Sequence, residues 1–194
     1  MTHSPTSPTG SAPMLGGRAE RSGHEPRLGA AAALPSLLES LFGDDERARR
    51  AAARALGEAG DPQALPYLIE SLDDESAGVR LLAAWALGRI GGPRALARLM
   101  AGLGDRSAGV RWAAARALGQ IGSREAVPGL LAALNDRGAL VREAACQALG
   151  QISDERAIAG LREALSDRAE GVSRAANEAL YHIGAGGYPP RWGD

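Results

Sequence analysis

Residues 74–91 read DESAGVRLLAAWALGRIG, and 31 positions later residues 105–122 read DRSAGVRWAAARALGQIG. The stretch 136–153, DRGALVREAACQALGQIS, is a third copy at the same step. Outward from these, Ala-Leu-Gly recurs at 55–57, 86–88, 117–119 and 148–150, with Ala179-Leu180-Tyr181 after it. Leu37, Leu68, Leu99, Leu130 and Leu161 form another column, and Leu41, Leu72, Leu103, Leu134 and Leu165 a third. Leu34, Leu65, Leu96, Val127 and Ile158 form a fourth, and Asp74, Asp105, Asp136 and Asp167 a fifth. A fixed period of this kind marks a repeat architecture. Five repeats cover residues 31–184.

Each repeat reads as two helices. Leu65, Leu68 and Leu72 stand at i, i+3 and i+7, a helical stripe. Asp61-Pro62 opens that helix as N-cap and first residue, and Gly92-Pro93 does so one repeat later. Pro35, Pro66 and Pro128 are expected in the first turn, where a missing N–H costs nothing. The second helix carries Val79, Ala83, Leu87 and Ile90 on one face, with Ser76 or Ser107 as cap. The recurring glycines, Gly91-Gly92 among them, are read as helix ends. Neither helix can bury its stripe alone, so the pairs must stack. Ala83, Ala114, Ala145 and Ala176 allow close approach. A spacing near 8–10 Å gives a stack roughly 50 Å long.

Composition agrees. Of 194 residues, 40 are alanine and 25 leucine, with one phenylalanine, which suits helices and not a β-sandwich. One cysteine excludes an internal disulfide and a Cys-rich zinc cluster. All 22 basic residues are arginine, and the net charge of -1 argues against a dedicated nucleic-acid binder. No apolar run approaches the roughly 18 residues of a membrane helix. A soluble, cytoplasmic, bacterial-type protein is expected.

The motif Asp-x5-Arg, Ala-Leu-Gly-x-Ile-Gly, then Ala-Val/Leu-Pro-x-Leu resembles the HEAT-like repeats named after phycobilisome lyases. Here it reads Asp74…Val79-Arg80…Ala86-Leu87-Gly88-Arg89-Ile90-Gly91, and again from Asp105 to Gly122. The resemblance implies an all-α, right-handed α-solenoid of the armadillo type, with second helices lining the concave side. It also implies a structural ladder of Asp and Arg between repeats, not a catalytic one.

The flanks differ in kind. Residues 1–30 are rich in Ser, Thr, Pro and Gly without periodicity and read as a disordered leader, with Met14 a second candidate start. Residues 185–194, which include Tyr188-Pro189-Pro190-Arg191-Trp192, read as a tail covering the open end of the last repeat, with a docking peptide as the other reading.

Function is expected on columns that face water and vary. Opposite the buried stripe of each second helix lie Arg50/Arg54/Glu58, Leu81/Trp85/Arg89, Trp112/Arg116/Gln120, Glu143/Gln147/Gln151 and Arg174/Glu178/His182. Leu81, Trp85 and Trp112 are read as exposed apolar anchors, with Arg50, Arg54, Arg89 and Arg116 orienting acidic groups of a protein or peptide. The competing reading packs the tryptophans along neighbouring helices. Duplex DNA is a rival partner, but five arginines against three glutamates on the stripe neutralise few phosphates.

Chemistry finds little footing, and the chain is read as a non-catalytic scaffold or regulatory subunit without cofactor or metal. His3 and His24 lie in the leader, and His182 with Glu178 gives two ligands where a metal site needs more. The HEAT-like hydroxylase acting on deoxyhypusine holds iron with several His-Glu pairs, and only His24-Glu25 matches. Cys146 shares a column with Ala53, Ala84 and Ala115 and reads as a small packed residue. A bilin lyase-like or tetrapyrrole-chaperone role stands as an alternative on the family name alone.

Overall fold

The computed structural model describes residues 28–186, with side chains from Leu34 onward. The leader through Arg27, with Met14 and His24-Glu25, and the tail from Gly187 lie outside the described residues.

Ten α-helices and no strand occur among the described residues. They pair as α1 (Leu28–Leu41) and α2 (Glu46–Ala59), α3 (Leu65–Glu70) and α4 (Ala77–Ile90), and α5 (Pro93–Gly102) and α6 (Ala108–Ile121). The series continues with α7 (Val127–Ala133) and α8 (Ala139–Ile152), then α9 (Ile158–Ala164) and α10 (Glu170–Ile183). The result is an α-solenoid. The even-numbered helices are each 14 residues long. Asp45 accepts the N–H of Arg47 at the start of α2, and Ser76 that of Gly78 at the start of α4. Ser107 occupies the same place on α6 without a side-chain cap bond.

Two readings of the sequence change. Pro66 and Pro128 stand in the first turn of α3 and α7, but Pro35 lies inside α1. The first repeat lacks the capped short turn that precedes α3, so α1 starts at Leu28, earlier than the repeat register gives. The recurring glycines are also of two kinds. Gly60, Gly91 and Gly122 end helices at positive φ, as expected. Gly57, Gly88, Gly119 and Gly150 are buried helical residues. A Cβ on Gly88 would fall 2.7 Å from Ala117 Cα, one on Gly119 2.8 Å from Ala148 Cα, and one on Gly150 2.9 Å from Ala179 Cα. Their purpose is close helix approach.

This glycine–alanine contact sets the packing within one layer. Each even-numbered helix packs along the next, α2 on α4 through to α8 on α10, whereas the odd-numbered helices pack chiefly on their own partners. Leu56, Leu68, Leu87, Leu99, Leu118, Leu130, Leu149 and Leu161 are buried between the layers and carry the core.

A buried ion ladder runs through the stack. Arg49, Arg80, Arg111 and Arg142 pair with Asp74, Asp105, Asp136 and Asp167 of the following repeat, at 2.6–2.8 Å from Nε. Each guanidinium also donates to main-chain carbonyls in its own loop, as Arg80 does to Asp74 and Glu75. Each aspartate accepts a main-chain N–H two residues on, from Ser76, Ser107, Gly138 or Ala169. These charges are buried and satisfied, which is the condition for a buried pair to stabilise.

Candidate functional site

The outward columns of the even-numbered helices form one face of the solenoid. Arg50, Arg54, Arg89, Arg116, Gln120, Gln147, Gln151, Arg174 and His182 are exposed there. Leu81, Trp85 and Trp112 are half-buried, which corrects their reading as an exposed cluster. The cause is local. Trp85 leans across the crease between α2 and α4, its Cζ3 2.6 Å from where a Gly57 Cβ would sit. Arg89 lies over the Trp85 ring at 5.3 Å, and Arg116 over the Trp112 ring at 5.2 Å. Both indoles pack partly against the core and partly edge the surface.

The arginines divide into two sets. Arg89 donates from Nε to the Gly57 carbonyl at 2.8 Å, so it ties α4 to α2. Arg54 pairs with Glu58 at 2.8 Å along one exposed helix turn. Arg50 and Arg116 form no ion pair among the described residues. The same holds for Arg174, so three exposed cations of the stripe stand ready for an incoming acid.

Trp85, Trp112, Ala113, Arg116, Ala117 and Gln120 enclose a cavity of about 230 Å³ between α4 and α6. One apolar neighbour was missed from sequence. Leu140 is 68% exposed at the start of α8. It lies 7 and 11 residues before Gln147 and Gln151, hence on the same helix face. Arg50 abuts Gly78, Leu81 abuts Gly109 and Glu143 abuts Gly171, each 28 positions on. By that register Trp112 lies beside Leu140. The signal was present: Gly78, Gly109 and Gly171 share the column in which Leu140 stands.

Among the described residues, no group of three or more His, Cys, Asp or Glu is arranged to hold a metal ion. Cys146 is fully buried, and burial pushes its thiol up to about 12. That is the wrong direction for a nucleophile. Among the described residues, no helix is long and apolar enough to cross a membrane.

Residues 34–113 and 97–181 match the family described as HEAT repeats. The chain belongs to the HEAT-repeat family. Among solved structures, this HEAT-repeat protein is similar to the complex of CpcE and CpcF of phycocyanin lyase from Nostoc sp. PCC7120. Identity is 28% and the TM-score 0.69, over 76% of this chain and 63% of that one. It is similar to a designed armadillo repeat protein in complex with the peptide (KR)4, at 25% identity and TM-score 0.63, covering 79% and 82%. Human deoxyhypusine hydroxylase, at 24% identity and TM-score 0.50 over 79% and 74%, shares the fold alone. No curated protein matches the chain.

Proposed function

We propose that this HEAT-repeat protein is a non-catalytic scaffold that binds a protein segment along its concave surface. The observation that carries the reading is the apolar strip Leu81–Trp85–Trp112–Leu140, open on one side and flanked by Arg50 and Arg116. Trp and Arg are the residue types enriched at binding hot spots, and half-buried indoles are already ordered before a partner arrives. The segment it suits is extended, with bulky apolar residues and flanking acids. The armadillo neighbour that holds a peptide supports a solenoid of this shape as a peptide binder.

The test is selection from a displayed peptide library. Enriched peptides should combine aromatic or aliphatic residues with Asp or Glu. Trp112→Ala and Leu140→Ser should abolish their binding while helicity by circular dichroism is kept. Enrichment of peptides without that composition would remove the reading.

A second reading, a bilin- or tetrapyrrole-handling subunit, draws on the likeness to phycocyanin lyase. A coloured complex on mixing with bilin or haem would favour it. Duplex DNA is disfavoured, because Arg54 and Arg89 are engaged within the protein.

A further inference from the structure

The glycines of the Ala-Leu-Gly columns form the floors of the creases between successive even-numbered helices. In three creases a side chain covers the floor. Trp85 covers Gly57, Gln120 covers Gly88 with Oε1 at 2.8 Å from a would-be Cβ, and Gln151 covers Gly119 at 2.5 Å. In the fourth crease, between α8 and α10, the nearest atoms over Gly150 all belong to Ala179. The residue in the covering column there is His182, in place of Gln, and it is exposed. A cavity of about 440 Å³ opens above Gly150, lined by Gln147, Gln151, Ser153, Glu178 and His182.

Two features define what this cavity accepts. Its shape is set by the repeat: the equivalent places over Gly88 and Gly119 hold a flat carboxamide. Its charge is set by Glu178, which forms no ion pair among the described residues, with the Gln147 carboxamide beside it; Gln151 lines the cavity while its Oε1 lies over Gly119. Nε2 of Gln147 turns toward Glu143 at 3.5 Å, leaving its oxygen as an acceptor. A flat group bearing donors and a positive charge satisfies both features. The guanidinium is planar with five N–H donors, whereas an ammonium is a compact point charge.

We propose that the crease between α8 and α10 is a socket for an arginine side chain of the bound segment. This deepens the groove reading, on which it rests for the arginine's belonging to a peptide. The socket is two repeats from the cavity between α4 and α6 that Trp85 and Trp112 line. At about 10 Å per helix pair that is about 20 Å, or roughly six extended residues. The partner segment therefore carries its acidic and apolar residues at one end and an arginine at the other.

The test titrates the full chain with N-acetyl-arginine amide, followed by amide NMR, with N-acetyl-lysine amide as control. Arginine should move the Gly150, Gln147 and Gln151 signals and lysine should not. Glu178→Gln should weaken binding about tenfold, the loss of one charge-assisted hydrogen bond. His182→Gln places in the crease the residue that covers Gly88 and Gly119, and should abolish binding without lowering the melting temperature. Trp112→Ala should leave arginine binding unchanged, so the socket and the tryptophan groove fail separately. Equal binding of lysine, no shifts at α8 and α10, or undiminished binding by His182→Gln would each overturn the proposal.

Discussion

Arg111 on α6 reaches Asp136 of the next repeat in a two-pronged contact, Nε to Oδ2 at 2.6 Å and Nη2 to Oδ1 at 2.8 Å. Its remaining nitrogen, Nη1, donates to the carbonyls of Asp105 and Arg106. One side chain thus fastens a loop to its own helix and a repeat to its successor. Arg111→Ala leaves the buried Asp136 without its counter-ion. The expected loss is about 3 kcal/mol in urea unfolding. Arg111→Lys should recover only part of it, because an ammonium cannot reproduce the fork.

The same ladder sets the response to acid. Burial pushes the Asp105 carboxyl up, but the bond from Arg80 and the N–H of Ser107 outweigh it and hold it below the usual range. Asp136 and Asp167 are held low mainly by Arg111 and Arg142. A carboxyl depressed in the folded state stabilises fully above its unfolded value, about 3.9. That stabilisation is lost as pH falls through the folded value. The melting temperature should therefore be unmoved by these groups above about pH 5 and fall below about pH 4. Asp136→Asn should flatten the acid limb. An unchanged limb in that variant would mean that the ladder does not govern acid stability.

Gly88→Ala sets two effects against each other. Helix propensity gains about 1 kcal/mol. Overpacking costs about 1–3 kcal/mol, at the upper end here because the new Cβ meets Ala117 Cα at 2.7 Å and backbone cannot swing aside. A net loss of about 2 kcal/mol in thermal or urea unfolding is expected. The double variant with Ala117→Gly should recover part of it.

Trp85 and Trp112 should behave differently. Trp85 fills the crease over Gly57 beneath Arg89, so Trp85→Ala should lower stability by about 2–3 kcal/mol. Trp112→Ala should cost less and show itself mainly in peptide binding. Equal losses of stability in urea unfolding would make both indoles core.

Cys146 should resist a thiol reagent at neutral pH until the chain unfolds, since it is fully buried with its thiol pushed up to about 12. Labelling at the rate of a free thiol in the native state would contradict its packing.

The solenoid was legible because every core column repeats, so Leu68, Leu99, Leu130 and Leu161 each vouch for the others. The ladder was visible in the columns of Arg80 and Asp105, although only the family resemblance made it a ladder. What escaped depended on side-chain direction. Nothing in the letters says that Arg89 turns back to the Gly57 carbonyl, or that Gln120 and Gln151 lie over glycine while His182 does not. Leu140 escaped for a different reason: it interrupts a glycine column outside the triplet taken as the stripe. The mid-helix glycines were misread because a glycine near a helix end suggests a stop, and only packing shows it to be a passage for the neighbouring alanine.

Each rung of the ladder joins residues 25 positions apart, and none of the four skips a repeat. Under tension applied along its axis, such a chain has no long-range clamp that must fail first. It should part at one rung at a time, each rupture freeing one 31-residue unit, about 100 Å of extended backbone. The force trace would be a sawtooth of even teeth. Between ruptures the stack would act as a soft spring, so that the width of its concave face varies with load.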